Sequence, residues 1–213
     1  ANRNQTRKRL DTTLLGFAMF AADKPPGMLL HLHLDVEDHQ GWDILRLARH
    51  LGIDDRLILT YACPGKPDLP DSELNLIYNA ADVGLNTSSA EGWGLVSFEQ
   101  GAAGIPQIVP GHTSGTELWR DAAELLEPGI SLINQGSLTT AYLIAPATVA
   151  DALERVYASP ELRRDLGQRA LANAHRQCYR WDSIAKSWNH LFRRVIDSDT
   201  RLGEGVHASG DGQ

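Results

Sequence analysis

Two glutamates bracket a bare stretch of backbone in SSAEGWGLVSFEQG, residues 88–101: Glu91 stands before a Gly-Trp-Gly and Glu99 after it. Gly92 and Gly94 take side chains away where a ligand can touch the main chain. The apolar spacing beyond them predicts a helix from about Leu95, and the first turn of a helix leaves N–H groups without intrahelical partners. Such a terminus favours phosphate or other electron-rich oxygen. A carboxylate beside it repels phosphate but accepts hydrogen bonds from hydroxyls, often two per oxygen, each worth about 1.5–3 kcal/mol. Glu99 falls about one turn into the helix, roughly 6 Å further along at ~1.5 Å per residue. Two carboxylates so placed can hold two different hydroxylated rings, and two such rings joined by phosphates make a nucleotide sugar.

Phosphates call for cations, and the motif has none. RNQTRKR at 3–9 supplies them, with Arg3 and Lys8 flanking a loop that leads into the first helix. Arginine offers a planar fork to oxyanions and lysine a point charge. Two rival readings stand beside this one. Gly-Trp-Gly can be a plain tight turn and Glu99 a solvated helix residue. A dinucleotide fingerprint fails, because Ser97 stands where the third glycine belongs and His112, Thr113 and Ser114 stand where its acid is expected.

Around these residues the chain repeats one unit: apolar strand, turn, amphipathic helix. Helices are expected at 10–22, 41–53, 71–81, 95–104 and 113–123, and strands at 27–34, 56–61, 82–88 and 105–110; AELLEP at 123–128 follows with no element assigned. Gly52 and Gly104 read as helix stops, Asp71 or Ser72 as an N-cap, and Ser114 with Glu117 as a capping box. Residues 129–146 are less regular, with a hairpin excursion as one reading, and three helical segments follow. The fold class is α/β: a Rossmann-like, doubly wound parallel sheet with helices on both faces, C-terminal helices and a tail. Residues 1–196 form the domain, and the polar, Gly-rich stretch 197–213 reads as disordered. Ligands in such sheets bind outside the carboxyl ends of the strands, where the two glutamates and the basic loop fall.

Composition narrows the classes. The chain has 213 residues, 42% hydrophobic and 22% charged, with a formal net charge of −7, which argues against a general nucleic-acid binder. Cys63 and Cys178 lie far apart without metal spacing, so two unpaired buried thiols in a reducing, cytoplasmic setting are expected. No apolar run approaches the ~18 residues of a membrane span, and the basic start lacks the apolar core of a signal peptide. It opens at Ala1 and reads as a domain entered partway through. His31, His33 and Asp35 alternate along one strand face with His39 nearby; a strand with a partly polar face is the simpler reading than a metal site. Trp42, Trp119, Trp181 and Trp188 read as packing residues. His112 precedes a helix start at the same sheet edge as the glutamates, as a turn residue or a group near the ligand.

LIYNAADVGLNTSSAEGWGLVSFEQGAAGIPQIVP, within the stretch from Leu74 to Pro128, resembles the donor-binding domain of retaining glycosyltransferases of family 4, which have the GT-B fold. The shared pattern is a Tyr and an Ala-Asp before a strand, then Ser, Glu-Gly-aromatic-Gly-Leu, a second Glu in E-x7-E spacing, and Gly-x-Pro before the next strand. Arg3 five residues before Lys8, and YRWDSIAKSW at 179–188, are also similar to that family.

The resemblance implies roles. Arg3 and Lys8 would neutralise the donor diphosphate and the charge growing on it as the glycosidic bond breaks. Glu91 would bind hydroxyls of the transferred sugar, with backbone N–H groups of Trp93, Gly94 and Leu95 on sugar and phosphate. Glu99 would hold the ribose, and the base would lie near Thr60 and Tyr61. The donor would be a UDP-, GDP- or ADP-sugar, with no bound metal and no other cofactor. Two departures are visible. A preceding acceptor-binding domain, and the strand that leads into the Arg3 loop, are not in this sequence. On that reading the chain alone binds donor weakly and transfers nothing, and any contact with the inner face of a membrane is made by that other domain. Residues 129–146 also exceed the short glycine turn usual at that place. A non-catalytic nucleotide-sugar-binding module and a GT-B sugar-nucleotide epimerase are the alternatives.

Overall fold

The computed structural model describes residues 3–36, 38, 40–60 and 69–207, with side chains as far as 197. It divides into two units, Ala1–Ala174 and His175–Gln213.

The first unit alternates helix and strand as the apolar spacing requires. Its elements are α1 (Leu10–Ala21), β1 (Leu30–Leu32), α2 (Ile44–Leu51), β2 (Leu57–Leu59), α3 (Asp71–Asn79), β3 (Gly84–Leu85), α4 (Leu95–Ala102) and β4 (Gln107–Pro110). After them come α5 (Ser114–Trp119), β5 (Glu124–Leu126), β6 (Ile130–Ile133), β7 (Thr140–Leu143), α6 (Pro146–Ala158) and α7 (Pro160–Ala174). The parallel strands form two groups rather than one continuous sheet: β1 pairs β2, and β4 lies between β3 and β5.

Each strand is shorter than its apolar run predicts. Of 27–34 only Leu30–Leu32 pairs, and of 82–88 only Gly84–Leu85. Both β1 and β3 are bonded along one edge, and between them lies a cavity of about 510 Å³ lined by Leu30, Leu32, Leu85, Phe17 and Tyr78 among others. A strand is defined by its neighbours' hydrogen bonds, so a run bonded on one side registers as short.

Helices supply much of the core. Leu14, Ile44, Ile108, Leu126, Val149 and Leu166 are fully or almost fully buried. α1 packs on α6 and α2, and α4 on α7. Gly16 permits the α1–α6 approach, since a Cβ there would lie 2.5 Å from Val149 Cβ. Gly52 closes α2 in the left-handed region at φ 67°, and Gly104 follows α4 at φ 81°. Asp43 caps α2 by accepting from the Arg46 N–H at 2.9 Å. The expected N-caps of α3 and α5 move by one residue: Pro70 precedes α3, and Thr113 precedes α5 with no side-chain cap bond.

Residues 129–146 do form a hairpin. β6 and β7 pair antiparallel, with Ile130 opposite Leu143 and Ser131 opposite Tyr142. In the second unit a short turn at Gln177–Tyr179 precedes α8 (Trp181–His207). This helix continues to His207, past Ile196 and through a stretch whose composition reads as disordered. Cys178 is free but exposed, which corrects the expectation of a buried thiol; Cys63 lies outside the described residues.

Candidate functional site

The site gathers at the carboxyl end of β3, where the basic loop is stitched to the strand's continuation. Ser89 donates twice to the Arg7 carbonyl, from its N–H at 2.8 Å and its hydroxyl at 3.1 Å. Thr87 Oγ1 bonds the Arg9 carbonyl at 2.9 Å and lies 2.7 Å from Thr13 Oγ1. Asn86 Oδ1 accepts from the Ser88 N–H at 2.9 Å and folds the turn back on itself. The loop's other side is held by residues after β1. Asn4 donates to the Trp42 carbonyl at 2.7 Å and accepts the Trp42 N–H at 2.9 Å, while Thr6 donates to the Gln40 carbonyl. Asn4 is fully buried, so these bonds satisfy a polar group that water cannot reach.

Lys8 and Glu91, 83 positions apart, meet here as an ion pair with Nζ 2.5 Å from Oε1. Their side chains are only 11% and 12% exposed. Ser88 Oγ donates to the same carboxylate oxygen at 2.8 Å, and Arg7 reaches the other at 3.4 Å. Burial by itself pushes the Glu91 carboxyl up, but the bonds from Lys8 and Ser88 and the charges of Lys8 and Arg7 outweigh it and hold the group below its ordinary value.

Gly94 takes the left-handed conformation, φ 80° and ψ 53°, and is the residue from which α4 starts. Its carbonyl accepts the Phe98 N–H at 3.1 Å. Trp93 lies 5.3 Å from the Phe98 ring and Leu95 is exposed. Gly94 and Ser97, in the first turn of α4 where N–H groups have no intrahelical partner, line the same small cavity as Glu91. One turn on, Glu99 accepts from the Tyr78 hydroxyl at 2.9 Å. Tyr78 is buried, and burial with the adjoining carboxylate pushes its phenol well above the ordinary range.

The sequence-predicted residues are not all brought together. Arg3 turns to the loop after β1, with its guanidinium 3.6 Å from Asp38 and 60% exposed. Arg7, one residue before Lys8, is the cation beside Glu91 instead. Its membership of the RNQTRKR cluster was the only available signal. Thr60 follows β2 and its hydroxyl lies 2.7 Å from His31 Nε2; Tyr61 lies outside the described residues. Ser114, expected to close a capping box, donates to the Glu91 carbonyl at 3.0 Å. Tyr78 and Ser88 were missed as holders of the two glutamates, for want of any pattern that pairs them across a turn. His31 and His33 join no group of three metal-ligating side chains among the described residues. Chemically, the arrangement offers cations and helix N–H groups to an anion, and carboxylates to hydroxyls.

A family model described as glycosyl transferase-like matches residues 42–189, more than half the chain; the Lys8 loop precedes the matched stretch. D-inositol 3-phosphate glycosyltransferase of Corynebacterium glutamicum (strain R) is 27% identical over 161 residues, 76% of this chain and 34% of that protein. Sucrose-phosphate synthase from Thermosynechococcus elongatus superposes with a TM-score of 0.69 at 22% identity, over 93% of this chain and 45% of that one. Anabaena HepE, solved in complex with UDP-glucose, gives a TM-score of 0.65 at 17% identity, over 92% and 47%. The chain thus spans from about a third to about half the length of these proteins. The two superpositions give the fold, that of the GT-B glycosyltransferases. Taken with the stretch from Trp42 to Asn189 that the family model matches, they leave one assignment: the chain belongs to the glycosyl transferase-like family.

Proposed function

We propose that this chain is the donor-binding half of a retaining glycosyltransferase of family 4, which moves a sugar from a nucleoside-diphosphate sugar to an acceptor in glycan or polysaccharide synthesis. The observation that carries this reading is the buried Lys8–Glu91 pair beside the α4 N-terminus. A cation and a hydroxyl-accepting carboxylate in contact match the junction of a phosphate and a sugar. In the bound state Lys8 turns to the diphosphate and Glu91 to hydroxyls of the transferred sugar. Backbone N–H groups of Trp93, Gly94 and Leu95 bond the sugar and phosphate oxygens. Glu99, released from Tyr78 or shared with it, takes the ribose, and the base lies toward Thr60 and Tyr61. Arg3 joins the diphosphate by leaving Asp38; its high exposure leaves it free to swing. Cations in a partly desolvated site stabilise the charge that grows on the leaving diphosphate, which is work a metal ion does elsewhere, so the reaction is metal-independent. The acceptor site lies on a preceding domain, and the setting is cytoplasmic. The named ligands of the relatives support a nucleotide sugar: UDP-glucose was bound to HepE.

The test is calorimetry of the chain with UDP, GDP and ADP and with their glucose or mannose conjugates. One nucleotide should bind in the micromolar-to-millimolar range. Arg3→Ala with Lys8→Ala should weaken the diphosphate far more than the nucleoside. A folded sample that binds none of them, even when a preceding domain is restored, sinks the proposal.

A further inference from the structure

His112 and the β6–β7 hairpin have no task in the donor site as described so far, yet they touch it. Most hairpin side chains are exposed, but Ala141 is buried and Tyr142 half-buried. Its N–H donates to the Ser89 carbonyl at 3.1 Å, and its ring stacks on His112 at 4.7 Å between centroids and 22° between planes. His112 is 6% exposed. Its Nδ1 is 3.4 Å from Thr113 Oγ1. Its Nε2, on the opposite edge of the ring, is buried and has no hydrogen-bond partner among the described residues.

That orphan is the informative atom. A buried imidazole nitrogen left unpaired is costly, and native proteins nearly always give it a partner. The ring lines a cavity of about 10 Å³ together with Glu91, Trp93, Gly94 and Thr113. This volume is that of a single oxygen. Burial also pushes the imidazole pKa down, so the ring is neutral at neutral pH and offers one donor and one acceptor. Thr113 Oγ1 accepts the Glu91 N–H at 3.4 Å, which leaves its own hydrogen for His112 Nδ1. Nε2 then carries the ring hydrogen. Thr113 holds this arrangement at φ 51°, a strained conformation for a β-branched residue. A hydroxyl is the group that fits, since it accepts from Nε2–H while donating to a carboxylate.

We propose that His112 binds one hydroxyl of the transferred sugar through Nε2, and that Tyr142, carried by the hairpin, is the positioning residue that holds the ring for it. This rests on the donor reading above and assigns the sugar, not the nucleotide, to His112. The probes are UDP-glucose, UDP-N-acetylglucosamine, GDP-mannose and ADP-glucose. The tightest of them is titrated beside its own nucleoside diphosphate.

His112→Leu should lower the sugar conjugate's affinity about tenfold relative to wild type, a loss on the scale of one hydrogen bond, and leave the diphosphate within about twofold. His112→Gln restores part of the difference. Tyr142→Phe keeps the preference, whereas Tyr142→Ala loses part of it. On the wild-type chain, the His112 Nε2 resonance in ¹⁵N NMR should shift with the sugar conjugate and not with the diphosphate, a readout that no folding defect can imitate. If diphosphate and conjugate bind but the resonance stays still and His112→Leu changes both affinities alike, the inference about His112 is overturned and the donor reading stands. If none of the probes binds, even when a preceding domain is restored, both fall together.

Discussion

Glu91 carries two opposing pressures, and the balance between them is measurable. Its side chain is nearly buried, which disfavours the charge, yet Lys8, Ser88 and Arg7 surround it and hold its pKa below the ordinary carboxylate value. A carboxyl with a depressed folded pKa gives stability above its unfolded pKa and loses it as pH falls through the folded one. The first unit should therefore lose stability below about pH 4.5, and Glu91→Gln should flatten that part of a urea-denaturation series taken against pH. Removing one partner of a buried pair leaves the other charge stranded, so Lys8→Met should cost about 3 kcal/mol near neutrality. Tyr78 is the opposite case. Its phenol titrates late because burial and Glu99 both resist ionisation; Tyr78→Phe should remove the last-titrating component of the phenolate absorbance and cost about 1 kcal/mol. At this scale the sequence named Glu91, Glu99 and Lys8 as the chemistry. It named Arg3 from its spacing to Lys8, whereas the fold sets Arg7 beside the carboxylate and Arg3 beside Asp38, because cations of one cluster look alike until a fold decides which one faces the carboxylate.

Helices were more legible than strands, for a physical reason. A helix satisfies its own backbone, so α1 at Leu10–Ala21 follows from apolar spacing within one residue of the expected 10–22. A strand needs a neighbour, and among the described residues neither β1 nor β3 has one on its cavity side. Close packing is equally hidden from periodicity. Nothing in LDTTLLGFAMFA marks Gly16 as the point where α1 touches α6, yet a Cβ there would stand 2.5 Å from Val149 Cβ. Gly16→Ala raises intrinsic helix propensity by about 1 kcal/mol but forces α1 off α6. Overpacking of this kind costs about 1–3 kcal/mol, so a net loss in the urea midpoint is expected. Adding Val149→Ala should recover part of the loss, because it removes Cγ1, 2.6 Å from the new methyl group, while Cβ at 2.5 Å stays. An additive double mutant would show that the contact is not the cause.

The site exists only when distant parts of the chain meet. Residues 3–9, 86–91, 112–114 and 142 are joined by the Lys8–Glu91 pair, by Ser89 to Arg7, by Ser114 to Glu91 and by Tyr142 to Ser89. No local segment holds Lys8, Glu91 and the start of α4 together, so the unfolded chain has no equivalent site. A ligand of this site binds the native state alone and stabilises it by mass action, by about 2.7 kcal/mol at a hundred times its Kd. For a unit of this size, with its boundary at Ala174, 1 kcal/mol moves Tm by about 2–4 °C. A saturating nucleoside diphosphate should then raise Tm by about 5–10 °C, and the rise should grow with the logarithm of ligand concentration. The ligand must also part Lys8 from Glu91. Glu91→Gln frees that cation, and so should lower the protein's own Tm while enlarging the shift produced by inorganic pyrophosphate. Lys8→Met should abolish both shifts. If pyrophosphate stabilises Glu91→Gln no more than wild type, Lys8 is not the group that meets the phosphates, and the ion pair is a structural clasp rather than a site held closed by its own charges.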